Sequence, residues 1–198
     1  HSANEHLWAL MELFRREKMA RVKYHLFTDG RDAPPRDAAK VMEEVQRRVR
    51  ESGFGAIGSI SGRYFGMDRD GRWERTKMAY EAVVAGKGAV APSAVEAIRA
   101  AYAANLTDEF VLPTVVGLPA GVPVGVNDGD AVMVFNFRVD RPRQLTMALT
   151  MKEFENLKGF EIREEIHGRL AVEKKKGPTF KRIKTPANVY VATMTEYQ

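Results

Sequence analysis

Short apolar runs alternate along this chain with segments of helical period, and no other feature limits the fold as strongly. The runs "VKYHLF" (22–27), "FGAIGSI" (54–60), "AVMVFNF" (131–137) and "NVYVATM" (188–194) read as strands, the third as the most convincingly buried. Helical spacing links Leu7, Leu10, Met11 and Phe14, then Val41, Met42, Val45 and Val49, and a further helix is predicted over 74–85. Two capping boxes, Ser2 with Glu5 and Ser93 with Glu96, mark helix starts where a hydroxyl and a carboxylate satisfy free N–H groups. Pro113, Pro119 and Pro123 argue against central strands in "FVLPTVVG" and "VPVGV", because proline cannot donate to a ladder. Strand and helix in alternation predict an α/β fold, a three-layer α/β/α sandwich with a largely parallel central sheet.

In such sheets ligands bind beyond the carboxyl ends of the strands. Three of the apolar runs end in arginine-bearing turns, "LFTDGRD", "SISGRYFGMDR" and "FNFRVDR". The guanidinium fork matches carboxylate or phosphate oxygens two at a time, so several forks from different strands would hold a small multiply charged anion. Spacing alone leaves a second reading open, in which the arginines only pair with Asp68, Asp70 and Asp140. Asp32, beside Arg31, would be ionised among cations and able to accept a proton from a substrate hydroxyl. Spacing alone favours ordinary turn chemistry for "DGRDAPP".

At 198 residues the chain suits a single domain, and 44% hydrophobic residues suffice for a core. The absence of cysteine excludes disulfides and thiolate metal sites, which suits a cytoplasmic setting. No run has the roughly 18 apolar residues of a membrane span. A net charge of +5 favours anionic partners, and a basic nucleic-acid-binding module is the alternative class. Such a module needs a basic stripe with stacking rings, whereas these arginines gather at strand ends. His1 and His6 do not share a helical face, His25 reads as a core residue within a strand, and His167 lies in a polar stretch, so no metal set is predicted. Neither a P-loop, a dinucleotide fingerprint nor a nucleophile elbow occurs. The first residue stands at the mouth of a helix, which leads us to expect a piece of a longer protein.

The segments "HLFTDGRDAPPR", "GRYFGMDRDGRWER", "NDGDAVMVFNFRVDR" and "MTEY", in that order, resemble the cofactor-independent phosphoglycerate mutases. The likeness runs from His1 to about Phe154 and resumes at Asn188. It implies the inserted phosphotransferase domain, spanning 1–198, of a two-domain monomeric enzyme of glycolysis and gluconeogenesis. The companion phosphatase-like domain would carry a nucleophilic serine and two divalent metals, usually manganese. The implied reaction interconverts 3-phosphoglycerate and 2-phosphoglycerate without bisphosphoglycerate, the glycerate being held here between two phosphoryl transfers. By motif, His1, Arg31, Asp32, Arg63, Arg69, Arg138 and Arg141 would contact substrate, with Asp32 as the acid-base group; Arg72 and Arg75 return to a surface or structural role, with the following helix and its solvated face. No metal ligand, membrane or nucleic acid is implied for this chain. Ala3 replaces the second histidine of the family's "HSH" segment. The basic stretch 157–187, with "EKKKGPTFKRIK", departs from the bacterial pattern and reads as a solvated loop extension.

Overall fold

The computed structural model describes residues 2–19, 21–117, 123–166, 169–176 and 178–197, with the backbone alone across 159–176. Strand β1 (Lys23–Thr28) lies parallel to β2 (Ala56–Gly62), and helix α2 (Ala38–Ser52) connects them. Met42 and Val45 face inward from α2, and Gly53 ends it in the left-handed conformation with φ 70°. From β2 the chain passes straight into α3 (Arg63–Gly66), then α4 (Trp73–Tyr80), whose last turn widens into a π-helical turn at Glu81–Ala85. Strand β3 (Ala89–Ala91), helix α5 (Ala94–Ala103) and strand β4 (Thr114–Val116) complete a sheet of order β1-β2-β4-β3. The pairs β1–β2 and β3–β4 are parallel and meet antiparallel at β2–β4. The fold is therefore α/β with a mixed, mostly parallel sheet.

The proline argument fails at β4. Pro113 stands just before the strand, where its carbonyl accepts the Ala89 N–H at 3.3 Å and its missing N–H costs nothing. Thr114, Val115 and Val116 are then buried in the middle of the sheet. Residues 118–122, with Pro119, lie outside the described residues.

The run "AVMVFNF" also differs from expectation. Strand β5 (Ala131–Val134) pairs only with β8 (Tyr190–Thr193), parallel, in a separate two-stranded ribbon. Among the described residues no third strand joins this ribbon, and Met133 is 42% exposed and Tyr190 72%. An apolar run reports hydrophobicity, not how many neighbours the strand will find.

Helix α1 (Asn4–Arg16) is capped at Ala3, one residue after the predicted Ser2. The Ser2 hydroxyl donates instead to the Phe135 carbonyl at the end of β5. His6 replaces Glu5 in the box, its Nδ1 accepting the Ala3 N–H at 3.0 Å. The second box keeps its hydroxyl half, Ser93 Oγ accepting from the Glu96 N–H at 3.2 Å.

Two apolar clusters result. One joins α1, α2 and α5 to the sheet through Leu7, Met11, Met42, Val45, Ile60 and Ile98. The other packs α4 and the π turn against helix α6 (Arg143–Thr150), with Trp73, Tyr80, Leu145, Phe154 and Phe180 at its centre. Phe154 meets Trp73 edge-on at 5.3 Å and Phe180 at 5.0 Å. Each such pair adds about 0.5–1.5 kcal/mol beyond area burial. His25 hydrogen-bonds Ser59 Oγ at 2.8 Å between β1 and β2, and burial followed by the charge of Lys23 pushes its imidazole down to about 4.

The basic stretch is not simply a solvated loop. Its backbone forms a hairpin of β6 (Gly159–Ile166) and β7 (Arg169–Lys176), and Phe180 beyond it enters the second cluster. Arg182 follows, with its side chain 8% exposed. It donates to the carbonyls of Ala148, Met151 and Lys152 at 3.0, 2.9 and 3.1 Å and to Glu155 at 2.7 and 2.8 Å. The first of these carbonyls lies in the last turn of α6, where helix carbonyls lose their partners, and the other two follow it directly. Arg182→Ala is expected to cost about 3 kcal/mol and lower Tm by roughly 6–12 °C for a chain of this size. Thermal unfolding followed by circular dichroism checks this; a fall of only about 2 °C would assign Arg182 to the surface. His167 lies outside the described residues.

Candidate anion site at the strand ends

Beyond the carboxyl end of β1, Gly30 turns the chain with φ 69°, and a Cβ there would lie 2.8 Å from both Asp108 Cβ and the Glu109 nitrogen. Asp29 organises this turn. Its Oδ1 accepts the N–H groups of Arg31 and Asp32, both at 3.0 Å, and a bond from Arg63 Nη1 at 2.6 Å. Arg63 Nη1 also reaches Asp32 Oδ2 at 2.9 Å. Asp32 is thereby fixed twice, by its own backbone and by a guanidinium from the next strand.

Arg63 is the first residue after β2 and is only 2% exposed. Burial opposes its charge, but the hydrogen bonds and then the charges of Asp32 and Asp29 together outweigh it, so its pKa rises. Those bonds also act on the acids. The hydrogen bond from Arg63, then its charge, holds the Asp32 carboxyl below its ordinary value. For Asp29, burial works upward but is outweighed by the Asp32 N–H, the Arg63 guanidinium and the Arg31 N–H. Both acids are ionised at neutral pH.

The loop after α3 brings Arg69, and the turn after β5 brings Arg138 and Arg141. Arg69 Nη1 bonds Asp140 Oδ2 at 2.6 Å, and Arg138 Nε bonds Asp140 Oδ1 at 2.7 Å. Asp140, 6% exposed, is thus a shared anchor for two arginines from different loops. Burial tends to raise its carboxyl, but the hydrogen bonds from Arg69 and Arg138 pull it below the usual range. Arg141 donates to the Met67 carbonyl at 3.2 Å. Burial, then the positive charges of Arg63 and Arg69, depress its pKa, with Arg138 adding to the repulsion and Asp140 opposing it. Arg138 also acts on Asp32. Arg141 thus feels Arg63, Arg69 and Arg138, and Asp32 feels Arg63 and Arg138, although these residues follow three different strands. The buried Nε atoms of Arg63 and Arg141 have no hydrogen-bond partner among the described residues.

Arg31 stands apart. Its side chain is 59% exposed and reaches Glu109 Oε1 only at 3.9 Å. It occupies the edge of the group rather than its centre. His1 lies outside the described residues. The remaining arginines of the segment 59–75 separate as their motif assignment implies. Exposed Arg72 pairs with Asp70 at 3.4 Å; Arg75 stacks on the Tyr64 ring at 3.6 Å and approaches Asp68 at 3.6 Å.

Supporting residues escaped the sequence reading. Asp108 is 1% exposed; its Oδ2 accepts the N–H groups of Asp37 and Ala38 at 2.9 Å each, and Oδ1 accepts the Tyr102 hydroxyl at 2.5 Å. It ties the start of α2 to the segment beside Gly30. Asp29 carried a usable signal, since Asp-Gly followed by two polar residues is an Asx-turn pattern. Asp108 carried none, as the backbone groups it caps, at Asp37 and Ala38, are about 70 residues away in sequence.

Among the described residues no group of three or more His, Asp or Glu side chains is placed to hold a metal. No helix among them is long and apolar enough to cross a membrane.

The chain matches the family model described as BPG-independent PGAM N-terminus (iPGM_N) over residues 1–198. It is similar to the 2,3-bisphosphoglycerate-independent phosphoglycerate mutase of Myxococcus xanthus, with 50% identity over 156 residues, covering 78% of this chain and 30% of that protein. The enzyme of that name from Thermomicrobium roseum is 43% identical over 199 residues, covering 100% of this chain and 34% of that one. Among solved structures, Leishmania mexicana phosphoglycerate mutase at low cobalt concentration superimposes with a TM-score of 0.80 at 28% identity, over 100% of this chain and 33% of that one. The chain thus spans about a third of the length of these relatives.

Proposed function

Because the chain belongs to the BPG-independent phosphoglycerate mutases, as their N-terminal region, we propose that it is the substrate-holding phosphotransferase domain of such an enzyme. In this reading the full-length protein interconverts 3-phosphoglycerate and 2-phosphoglycerate. The observation that supports it most is that Arg63 and Arg138 act on Asp32 while Arg63, Arg69 and Arg138 all act on Arg141, a set of cations whose mutual repulsion a multiply charged anion would relieve.

Phosphoryl transfer asks a protein mainly for positioning and charge stabilisation. The phosphoryl group passes from the substrate to a serine outside this chain, and the four arginines hold the glycerate by its charged groups. Arg31 and His1 complete the contacts at the edge. Asp32 gives a proton to the departing C3 oxygen and takes one from the C2 hydroxyl when the phosphoryl group returns there. In the empty site Arg63 keeps Asp32 ionised; the negative charge of the substrate cancels part of that field and raises the carboxyl, so that it can carry the proton. The divalent metals of the family, manganese in this reading, belong to the companion domain, which we place in the same polypeptide. The whole would be a cytoplasmic monomer of glycolysis. A nucleic-acid-binding module has no support in the relatives, which are named as mutases.

The test is turnover of 3-phosphoglycerate by the full-length protein without added bisphosphoglycerate, coupled to detection of 2-phosphoglycerate. We expect conversion by the full-length protein and none by the 198-residue chain alone. Conversion by the chain alone, or none by the full-length protein, overturns the reading.

A further inference from the structure

Helix α6 starts just after the turn that carries Arg138 and Arg141, and its second residue, Gln144, is 1% exposed. The side chain does not face the anion group. It reaches the other arginine loop, where Gln144 Oε1 accepts the Gly71 N–H at 2.8 Å and Nε2 donates to Asp68 Oδ1 at 3.0 Å. The second Nε2 bond goes to Thr76 Oγ1 on α4, at 2.8 Å. Asp68 Oδ1 in turn accepts the N–H groups of Asp70 and Arg72 at 3.1 and 3.0 Å, and its other oxygen faces Arg75 at 3.6 Å. Amide orientation follows from chemistry: a backbone N–H requires the oxygen and a carboxylate requires the nitrogen.

Arg69 lies between Asp68 and Asp70, so the loop that carries it is pinned at residues 68 and 71 by one buried amide from α6. Arg69 reaches Asp140 in the turn that leads into α6, and Arg138 pairs with the same carboxylate from within that turn. Both ion pairs lie at the partly exposed side, where the arginine side chains are 43% and 40% exposed and solvent weakens them. Registration of the loops therefore rests on the buried amide, which uses its acceptor and both donors, together with the single bond from Arg141 to the Met67 carbonyl at 3.2 Å.

We propose that Gln144 is a positioning residue for the anion site, setting Arg69 in register with Arg138 and Arg141; the inference rests on the substrate reading above. Its role differs from that of a core side chain because its effect passes through Arg69.

A double-mutant cycle in the full-length protein tests this. Gln144→Met keeps the volume and removes the three bonds; it is expected to raise KM for 3-phosphoglycerate about tenfold with kcat within about threefold. In an Arg69→Ala background the same substitution is expected to change KM less than about twofold. Hydrogen exchange at the Gly71 amide is expected to quicken in Gln144→Met. If that variant fails to fold, Gln144→Asn, whose amide is one methylene short of both loop partners, enters the same cycle. Additive effects of the two substitutions, or an unchanged KM, overturn the inference while leaving the substrate reading intact. A wild-type full-length protein that does not turn over phosphoglycerate overturns both.

Discussion

Asp32→Asn in the full-length protein is expected to lower kcat roughly 10³-fold while KM stays within about threefold, the scale of loss when a positioned acid-base group is removed. The substitution is conservative for the fold. Asparagine keeps an oxygen to accept the 2.9 Å bond from Arg63 Nη1, and the backbone N–H of residue 32 still donates to Asp29 Oδ1 at 3.0 Å. What is lost is the ability to carry a proton. The carboxylate side chain is 52% exposed, so little stability depends on it and Tm is expected to hold. The hydrogen bond from Arg63, then its charge, holds the carboxyl below its ordinary value, so Asp32 is ionised in the free protein at neutral pH and takes up its proton only with substrate bound. Steady-state kinetics with thermal unfolding decide the matter. A kcat within tenfold of wild type would return Asp32 to the turn chemistry that its spacing alone suggests.

Arg63→Ala is expected to damage both binding and stability. The guanidinium is buried against Asp29 at 2.6 Å and Asp32 at 2.9 Å, so its removal leaves two carboxylates facing each other without their cation. Breaking a fully buried pair costs about 3–5 kcal/mol. Here the carboxylates are 34% and 52% exposed, and after solvent screening we expect about 2 kcal/mol, or a Tm lower by roughly 4–8 °C. Substrate binding should suffer more, with KM raised about 100-fold, because the variant both loses a cation and frees the turn that carries Asp32. Arg63→Lys separates the two effects. Lysine restores charge without the planar fork, so stability is expected to recover more than KM does. Equal recovery of both would mean that Arg63 acts on the substrate through charge alone.

The placement of arginine at strand ends was legible because local pattern and fold rule agree. "VKYHLF" and "FGAIGSI" became β1 and β2 in parallel register, and the turns after them hold Asp32, Arg63 and Arg69. The motif assignment also separated Arg69 from Arg72 and Arg75, three side chains that charge alone cannot distinguish. Other parts were not legible. Strand β3 and the central β4 are three residues each, too short for a period to be recognised beside a proline. The exposure of β5 depends on its having a single partner, β8, some 60 residues later. Ser2 had an ordinary capping pattern, and the Phe135 carbonyl took its hydroxyl instead.

Residue types and their order by themselves determined the α/β class and the arginine-bearing turns beyond β1 and β2, while the choice of side chains proposed to meet substrate came from the family resemblance. They did so because strand period, turn residues and guanidinium chemistry are local properties. Only the tertiary structure decided that Asp140 anchors two arginines, that Arg31 stands at the edge, and that Gln144 ties one loop to the other. Each of these links residues far apart in sequence or depends on burial, and neither the partner of a hydrogen bond nor the water around it is written in local pattern.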